Sequence, residues 1–303
     1  MVKPTGNRPL AAAAGVVLDR LIGEPPVGPH PVAVFGSAMT TVERRIYRPR
    51  YAEGVVHAAA GLGIGAVAGR ALGSTFLASY LAVAGRGLAD AAGRIEAALE
   101  GGQLGEARGL LPTLAGRDPS HLDEKELSRA VVESVAENTV DALVAPALWA
   151  AVLGAPGALG YRAINTMDAM VGHRSPRYVR YGWASARLDD AAGWLPARAT
   201  AALVAMARPA AAGDVWRIVR RDAPAHPSPN AGVAEAAFAA ALGLQLGGEN
   251  RYGDRVEVRP PLGDGRPAEP GDIARAVRLS SHVGALVAGG LTLCALGKRP
   301  ERP

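Results

Sequence analysis

The sequence predicts an all-α protein, a multi-pass integral membrane helical bundle whose polar loops form a site on the cytoplasmic side. Three observations carry this expectation. Long stretches lack charge, small residues recur at helical spacing, and the alternation that marks strands is nearly absent.

Residues 142–161 hold no Asp, Glu, Lys or Arg over 20 positions, and 279–297 repeat the pattern over 19. Residues 54–85 carry only Arg70 as a charge in 32 positions, and 191–207 only Arg198. A spanning helix needs about 20 mostly apolar residues. The mean hydropathy of +0.10 is low for a transporter because Ala and Gly supply much of the apolar content. An Ala-rich soluble bundle is therefore the competing reading, since these residues gain little on transfer to lipid. The segment GLGIGAVAG favours the membrane: Gly61, Gly65 and Gly69, four apart, make one small face for close helix packing. As a phosphate loop the same glycines lack a preceding strand and a following Gly-Lys-Ser/Thr.

The first apolar run, LAAAAGVVLDRLIG after Lys3 and Arg8, has the look of a signal peptide. It contains Asp19-Arg20 and is followed by GEPPVGPHPV where a small-residue cleavage site belongs, so it is expected to be a retained segment. Stretches 43–50, 174–187, 208–221 and 251–266 are all Arg-rich, and the positive-inside rule would keep each cytoplasmic. Some apolar segments must then be hairpins, re-entrant or surface-lying, with roughly four to six crossings. The chain is read as one domain, 1–303.

Charge and composition exclude other classes. The net charge is +5, but the basic residues are spread over many loops, and aromatics are only 5%, too few for a base-stacking platform. No nucleic-acid partner is expected. The single cysteine, Cys294, rules out a disulfide framework and a Cys-rich metal site. Walker A, His-Glu-x-x-His and Gly-x-Ser-x-Gly motifs are missing.

Polar residues cluster beside the apolar runs. In GRDPSHLDEKELSRAVVESVAENTVD, Ser120-x-x-Asp123 has the capping-box pattern, and a helix is expected from about 121 toward Pro146. On it Ser134, Glu137, Asn138 and Asp141 fall within about 100° of arc, one stripe leading into an uncharged run. Carboxylates there are costly unless they line a wet cavity or hold a cation. In YRAINTMDAMVGHRSPRYVRYGWASARLDD, Asn165 and Asp168 share a helix face, Gly172 breaks the helix, and a basic loop with Arg174 precedes Arg187, Asp189 and Asp190. Oxygen ligands with amide partners suit Mg²⁺, and arginines beside it suit phosphate or carboxylate substrates. An interfacial Tyr/Trp/Arg belt explains Trp183 and Trp194 but not the three acids. In RRDAPAHPSPNAG, prolines stiffen a loop, and Asn230 is placed to cap a helix from Ala231 whose N-terminus suits an anion. His226 reaches Asp222 only if that loop folds back. The Gly/Pro-rich stretch GGENRYGDRVEVRPPLGDGRP reads as an exposed lid, and Arg255-Val-Glu-Val-Arg in it as a short ribbon.

Together these blocks resemble the CobD/CbiB family, the adenosylcobinamide-phosphate synthases. LDRLIGEPPVGPHPVAVFG, SVAENTVDALVAP, YRAINTMDAMVGHRSPRY, GWASARLDD, RRDAPAHPSPNAG, LGLQLGGENRYGD and RPPLGD match family blocks in order. Glu24 stands where the family pattern has Asp, and His173 and Ser175 where it has Tyr and Asn. The resemblance implies a multi-pass enzyme of the cell (inner) membrane in vitamin B12 synthesis. It would form the amide between a propionate of adenosylcobyric acid, the corrinoid substrate, and (R)-1-aminopropan-2-ol or its O-phosphate. It also implies ATP and Mg²⁺, membrane lipid around the chain, and other cobalamin-pathway proteins as partners.

Such a reaction needs charge neutralisation at phosphates, a base for the amine and donors for an oxyanion. Glu137, Asp141, Asp168 and Asp189 are then candidates for metal binding or general base, with Asp141, Asp168 and Asp189 the expected metal set. Asn138 and Asn165 orient ligands or donate to the oxyanion. Arg174, Arg187 and Arg221 contact phosphates or corrin carboxylates, while His226 and Asn230 line the substrate site. Two other readings stay open: an intramembrane prenyltransferase using Mg²⁺–diphosphate carboxylates, and a non-catalytic membrane sensor or assembly protein.

Overall fold

The computed structural model describes residues 7–25, 28, 30–252 and 255–297. Lys3 of the signal-like run, Pro26, Val27 and Pro29 of GEPPVGPHPV, and Gly253 and Asp254 of the glycine-rich stretch lie outside them. In order, the helices are α1 (Arg8–Ile22), α2 (Pro31–Ile46), α3 (Tyr51–Leu72), α4 (Thr75–Ala82), α5 (Gly85–Glu100), α6 (Leu104–Leu110) and α7 (Glu124–Thr139). They continue with α8 (Ala145–Leu153), α9 (Ala155–Met167), α10 (Trp183–Ala207), α11 (Ala212–Asp222) and α12 (Ala231–Leu242). Strands β1 (Leu244–Tyr252), β2 (Arg255–Leu262) and β3 (Arg266–Pro267) follow, then α13 (Gly271–Gly297).

The contacts group the chain into two compact units. The first comprises the described residues of Met1–Ala84, Asp141–Gly193 and Val287–Pro303; the second comprises Gly85–Val140 and Trp194–Leu286.

In the first unit, α3 lies against α9 through the predicted glycine face. A Cβ on Gly61 would strike the Met167 sulfur, one on Gly65 would stand 2.7 Å from Ala163 Cβ, and one on Gly69 would strike the Ala155 carbonyl. Gly63, two residues from Gly61 and Gly65 and so on the opposite face, meets open space. Missing side chains thus let two backbones approach closely. Helix α1 packs on α4 in the same manner, with Gly15 over Ser79, whose hydroxyl donates to the Ala12 carbonyl at 3.1 Å.

In the second unit, α12 is an almost entirely apolar helix, buried along its length, with α7, α11, β1 and β2 around it. The sheet has the order β2-β1-β3, with β1 antiparallel to β2 and parallel to β3. This corrects the all-α expectation. The ribbon at Arg255-Val-Glu-Val-Arg is present as β2, but β1 was not foreseen. Its Leu244 and Leu246 alternate inward, and then Gly247 and Gly248, both at positive φ, interrupt the pattern where the register between β1 and β2 shifts.

Two further expectations shift. The box at the start of α7 is Asp123 with Glu126, not Ser120 with Asp123: Asp123 Oδ1 accepts from Glu126 N at 2.8 Å, and Glu126 Oε2 accepts from Asp123 N at 2.9 Å. Ser120 instead donates to Asp118, closing the Asp-Pro turn. The uncharged run 142–161 is not one span, because Gly154 at φ +72° divides it into residues 142–153, which end one helix, and 155–161, which begin α9. Those uncharged parts reach roughly 18 and 11 Å at ~1.5 Å per residue, short of a ~30 Å hydrocarbon core.

Among the described residues two helices, α3 and α13, are long and apolar enough to cross a membrane by length and composition. Val55, Val56, Ile64 and Val67 of α3 and Leu293 and Leu296 of α13 are exposed. These two helices give weak support to membrane association and leave the four to six crossings expected as an expectation.

Candidate functional site

The site is built where α7 stops being an ordinary helix. Pro146 has no N–H, and its ring crowds the carbonyl four residues earlier. That carbonyl, on Ala142, turns out of the ladder and accepts the Ala84 N–H at 2.9 Å. The backbone widens into a π-helical turn, Val140–Val144, which carries Asp141. A second π turn, Asp168–Gly172, ends α9 and begins with the other predicted acid, Asp168. Such turns cost helix stability and recur at functional positions.

Three elements of the first unit meet at Asn165. Its Nδ2 donates to Asp141 Oδ2 at 3.1 Å and to Asp189 Oδ1 at 3.4 Å. Tyr161, one turn earlier on the same face of α9, donates its hydroxyl to Asp141 Oδ1 at 3.2 Å. Arg162 Nη1 donates to Asn165 Oδ1 at 3.4 Å, which holds the amide with its NH₂ toward the two carboxylates. Helix α10, which brings Asp189, is tied by Trp149 Nε1 donating to the Ala192 carbonyl at 3.0 Å. Asp141 and Asp189 thus present oxygens within two hydrogen-bond lengths of each other, with Arg162 behind the bridging amide. Asp19 and Glu24 add to the acidic field around Arg162.

The other predicted residues fall as follows. The Asp168 carboxylate folds over Gly172, where any side chain would collide with it. Arg187 Nη1 pairs with Asp190 at 3.4 Å, and exposed Arg174 contributes to the field at Asp190. In the second unit, Glu137 is exposed, and Asn138 turns back to donate to the Ser134 carbonyl at 2.9 Å. Arg221 is engaged with Asp222 at 2.5 Å and Asp264 at 2.6 Å, and these bonds hold Asp222 below the usual carboxylate range and Asp264 at about 2. Asp222 Oδ2 in turn accepts the Gly263 N–H. Asn230 occupies the cap position of α12, but its side chain accepts from Arg198 at 3.1 Å. Ser228 Oγ does the capping instead, accepting from Asn230 N and Ala231 N.

His226 does not turn toward Asp222. Its Nε2 lies 3.7 Å from Glu235, and burial pushes the imidazole toward the neutral form. Glu235 is fully buried on α12, and burial, then the nearby Glu133 charge, raise its carboxyl well above the usual range. Sequence reasoning missed this buried network. Glu133 pairs with Arg117 at 2.8 Å and accepts from Gly247 N at 2.8 Å, while Arg117 also donates to Asn250 at 2.8 Å. It missed Glu43 as well, a buried acid on α2 that takes Arg177 at 2.9 Å and the Tyr178 hydroxyl at 2.8 Å. Arg177 also lies 4.4 Å from the Tyr47 ring centre, so the basic loop is clamped to α2. Tyr161 and Arg162 were legible in principle, four and three residues before Asn165.

Among the described residues no group of three or more His, Cys, Asp or Glu stands ready for a metal ion. The expected set of Asp141, Asp168 and Asp189 does not form such a group. Two carboxylates joined by an amide remain. That hard-oxygen pair fits Mg²⁺, which binds through one or two carboxylates and fills its other positions with water and phosphate oxygens.

A family model described as CobD/Cbib protein matches residues 12–280. The cobalamin biosynthesis protein CobD of Mycobacterium tuberculosis is 47% identical over 97% of this chain and 98% of its own length. That of Geobacter metallireducens is 42% identical over 85% and 86%, and the cobalamin biosynthesis protein CbiB of Salmonella typhimurium 40% over 89% and 92%. No solved structure matches. With the ordered sequence blocks filling the folded chain and relatives aligned nearly end to end, this protein belongs to the CobD/CbiB family.

Proposed function

We propose that this protein acts in cobalamin biosynthesis as an adenosylcobinamide-phosphate synthase. It joins a propionate carboxylate of adenosylcobyric acid to the amine of (R)-1-aminopropan-2-ol or its O-phosphate, with ATP as the driving nucleotide. The observation that carries the site assignment is Asn165, which gathers Asp141 from a π turn and Asp189 from α10. Asp141, which accepts from the donors Tyr161 and Asn165, would hold Mg²⁺. When bound, Mg²⁺ supplies charge neutralisation at phosphate oxygens. Asp189, on the other side of the same amide, is the acceptor for the proton leaving the attacking amine, which must be neutral to react. Arg162 fixes the amide, and the loop arginines Arg174 and Arg187 supply cationic groups for phosphate or corrin carboxylates.

The exposed apolar side chains of α3 and α13 support an integral place in the cell membrane. The multi-pass arrangement and the cytoplasmic side of the site follow in this proposal from the Arg-rich loops. The test is synthase activity of Asp141→Asn and Asp189→Asn beside wild type. Each is expected to lose about 100-fold or more in rate, the scale of removing a general base or a metal ligand, with unfolding temperature little changed. Wild-type rates in both would overturn the assignment.

A further inference from the structure

The second unit holds a basic cavity remote in sequence from the acids at Asn165. Its volume is about 230 Å³, and it is lined by Arg208, Leu242, Arg275, Arg278, Leu279 and His282. The lining contains three guanidinium groups and an imidazole, and no acid. Arg208 is the first residue beyond α10, and its N–H donates to the Val204 carbonyl at 3.0 Å. Arg275, Arg278 and His282 stand three, four and seven residues apart on α13, so they share one helix face.

Arg275 is held in place. It pairs with Asp272 and donates Nη2 to the Leu242 carbonyl at 2.7 Å. Arg278 lies in the field of Glu96, whose Oε1 accepts the Ala274 N–H at 3.1 Å. These acids steady the rim, but neither Asp272 nor Glu96 lines the cavity. Gathering several cations about one concavity raises a positive potential there, which an anion relieves. Guanidinium groups bind phosphate oxygens through paired N–H donors, and Leu242 and Leu279 exclude water from part of the wall. Beyond His282 the helix carries no charge as far as Gly297, so the cavity stands at the polar end of a candidate membrane span.

We propose that this cavity is a binding site for one phosphate group, carried either by the headgroup of an anionic phospholipid or by a soluble phosphate compound. The inference rests on the cavity alone and holds whether or not the amide-forming reaction is the right one.

The experiment uses the full chain in neutral detergent at low salt. Thermal unfolding is followed with inorganic phosphate, against sodium chloride of equal ionic strength. In parallel, the chain is placed in nanodiscs of equal phosphatidylcholine and phosphatidylglycerol, and the lipid retained after detergent extraction is weighed by mass spectrometry. The variant is Arg208→Gln with Arg278→Gln; Arg220→Gln, an exposed change of equal charge per site on α11, is the control. A phosphate-dependent rise in unfolding temperature marks a soluble source, and retained phosphatidylglycerol marks a lipid source. Either supports the site if the double variant weakens it by about ten-fold or more while Arg220→Gln does not, the loss expected for removing charge-assisted pairs. No phosphate response and no phosphatidylglycerol retention in wild type overturns the proposal. So does a response that the double variant, folded by circular dichroism, leaves intact.

Discussion

Replacing Asn165 by aspartate exchanges one nitrogen for an oxygen and reverses the logic of the site. The amide NH₂ that serves Asp141 at 3.1 Å and Asp189 at 3.4 Å becomes a third carboxylate oxygen. A hydrogen bond to a charged group is worth about 1.5–3 kcal/mol, so losing one short and one long bond removes about 3–4 kcal/mol. Repulsion adds to this, since unit charges ~4 Å apart interact by about 4 kcal/mol at an effective dielectric near 20. Proton uptake limits that addition. The new carboxyl has its folded pKa raised above the unfolded value near ~3.9. Its share of stability is therefore full at low pH and is lost as pH rises through the folded pKa. A protonated aspartate donates again and recovers one of the two bonds. The expected deficit against wild type is about 7 kcal/mol at pH 8 and about 4 kcal/mol at pH 5.5, one lost bond plus about 1.4 kcal/mol for each pH unit above ~3.9. Unfolding in detergent at the two pH values measures it, with Asn165→Leu, which loses the bonds without adding charge, showing a deficit that does not depend on pH in this way. Aspartate at this position within about 0.5 kcal/mol of wild type at both pH values, the range of an ordinary surface change, would refute the shared-amide geometry.

Three other outcomes are expected. Gly65→Ala places a methyl 2.7 Å from Ala163 Cβ and should destabilise by about 1–3 kcal/mol, whereas Gly63→Ala, in open space, should be neutral or gain up to about 1 kcal/mol; paired thermal melts decide it. Glu235, whose burial raises its carboxyl well above the ordinary range, should make wild type lose stability as pH rises from that range to the raised value, and Glu235→Gln should abolish this loss in a pH series of unfolding midpoints. Ser228→Ala removes the acceptor for two N–H groups at the start of α12 and should cost about 1 kcal/mol, measured by chemical unfolding.

How much of this was legible beforehand differs from element to element. The Gly61/Gly65/Gly69 face was readable because a helix has one period and missing side chains have one use there. Asp141, Asn165 and Asp189 were each singled out, since acids beside uncharged runs demand a partner. Their meeting at one amide was not legible, because it depends on a π turn that Pro146 forces by freeing Ala142. A straight helix places Asp141 on the stripe of Glu137 and Asn138; the widened turn gives it a different neighbour. Asp168 was assigned a metal role from its i, i+3 relation to Asn165, but the second π turn begins at that residue and folds its carboxylate over Gly172. Strand β1 escaped because Gly247-Gly248 interrupts the alternation of Leu244 and Leu246. Glu43, Glu133 and Glu235 escaped because an acid on a helix reads as solvated until its arginine or histidine partner, far away in sequence, is seen against it.

The most direct test of the central claim is product formation. Detergent-purified wild-type protein would be given adenosylcobyric acid, ATP, Mg²⁺ and either (R)-1-aminopropan-2-ol or its O-phosphate, and the mixture followed by mass spectrometry. The account predicts the mass of the amide with one of the two amines, and its loss in Asp141→Asn. An amide formed equally by Asp141→Asn, or no amide from folded wild-type protein with either amine, would contradict it.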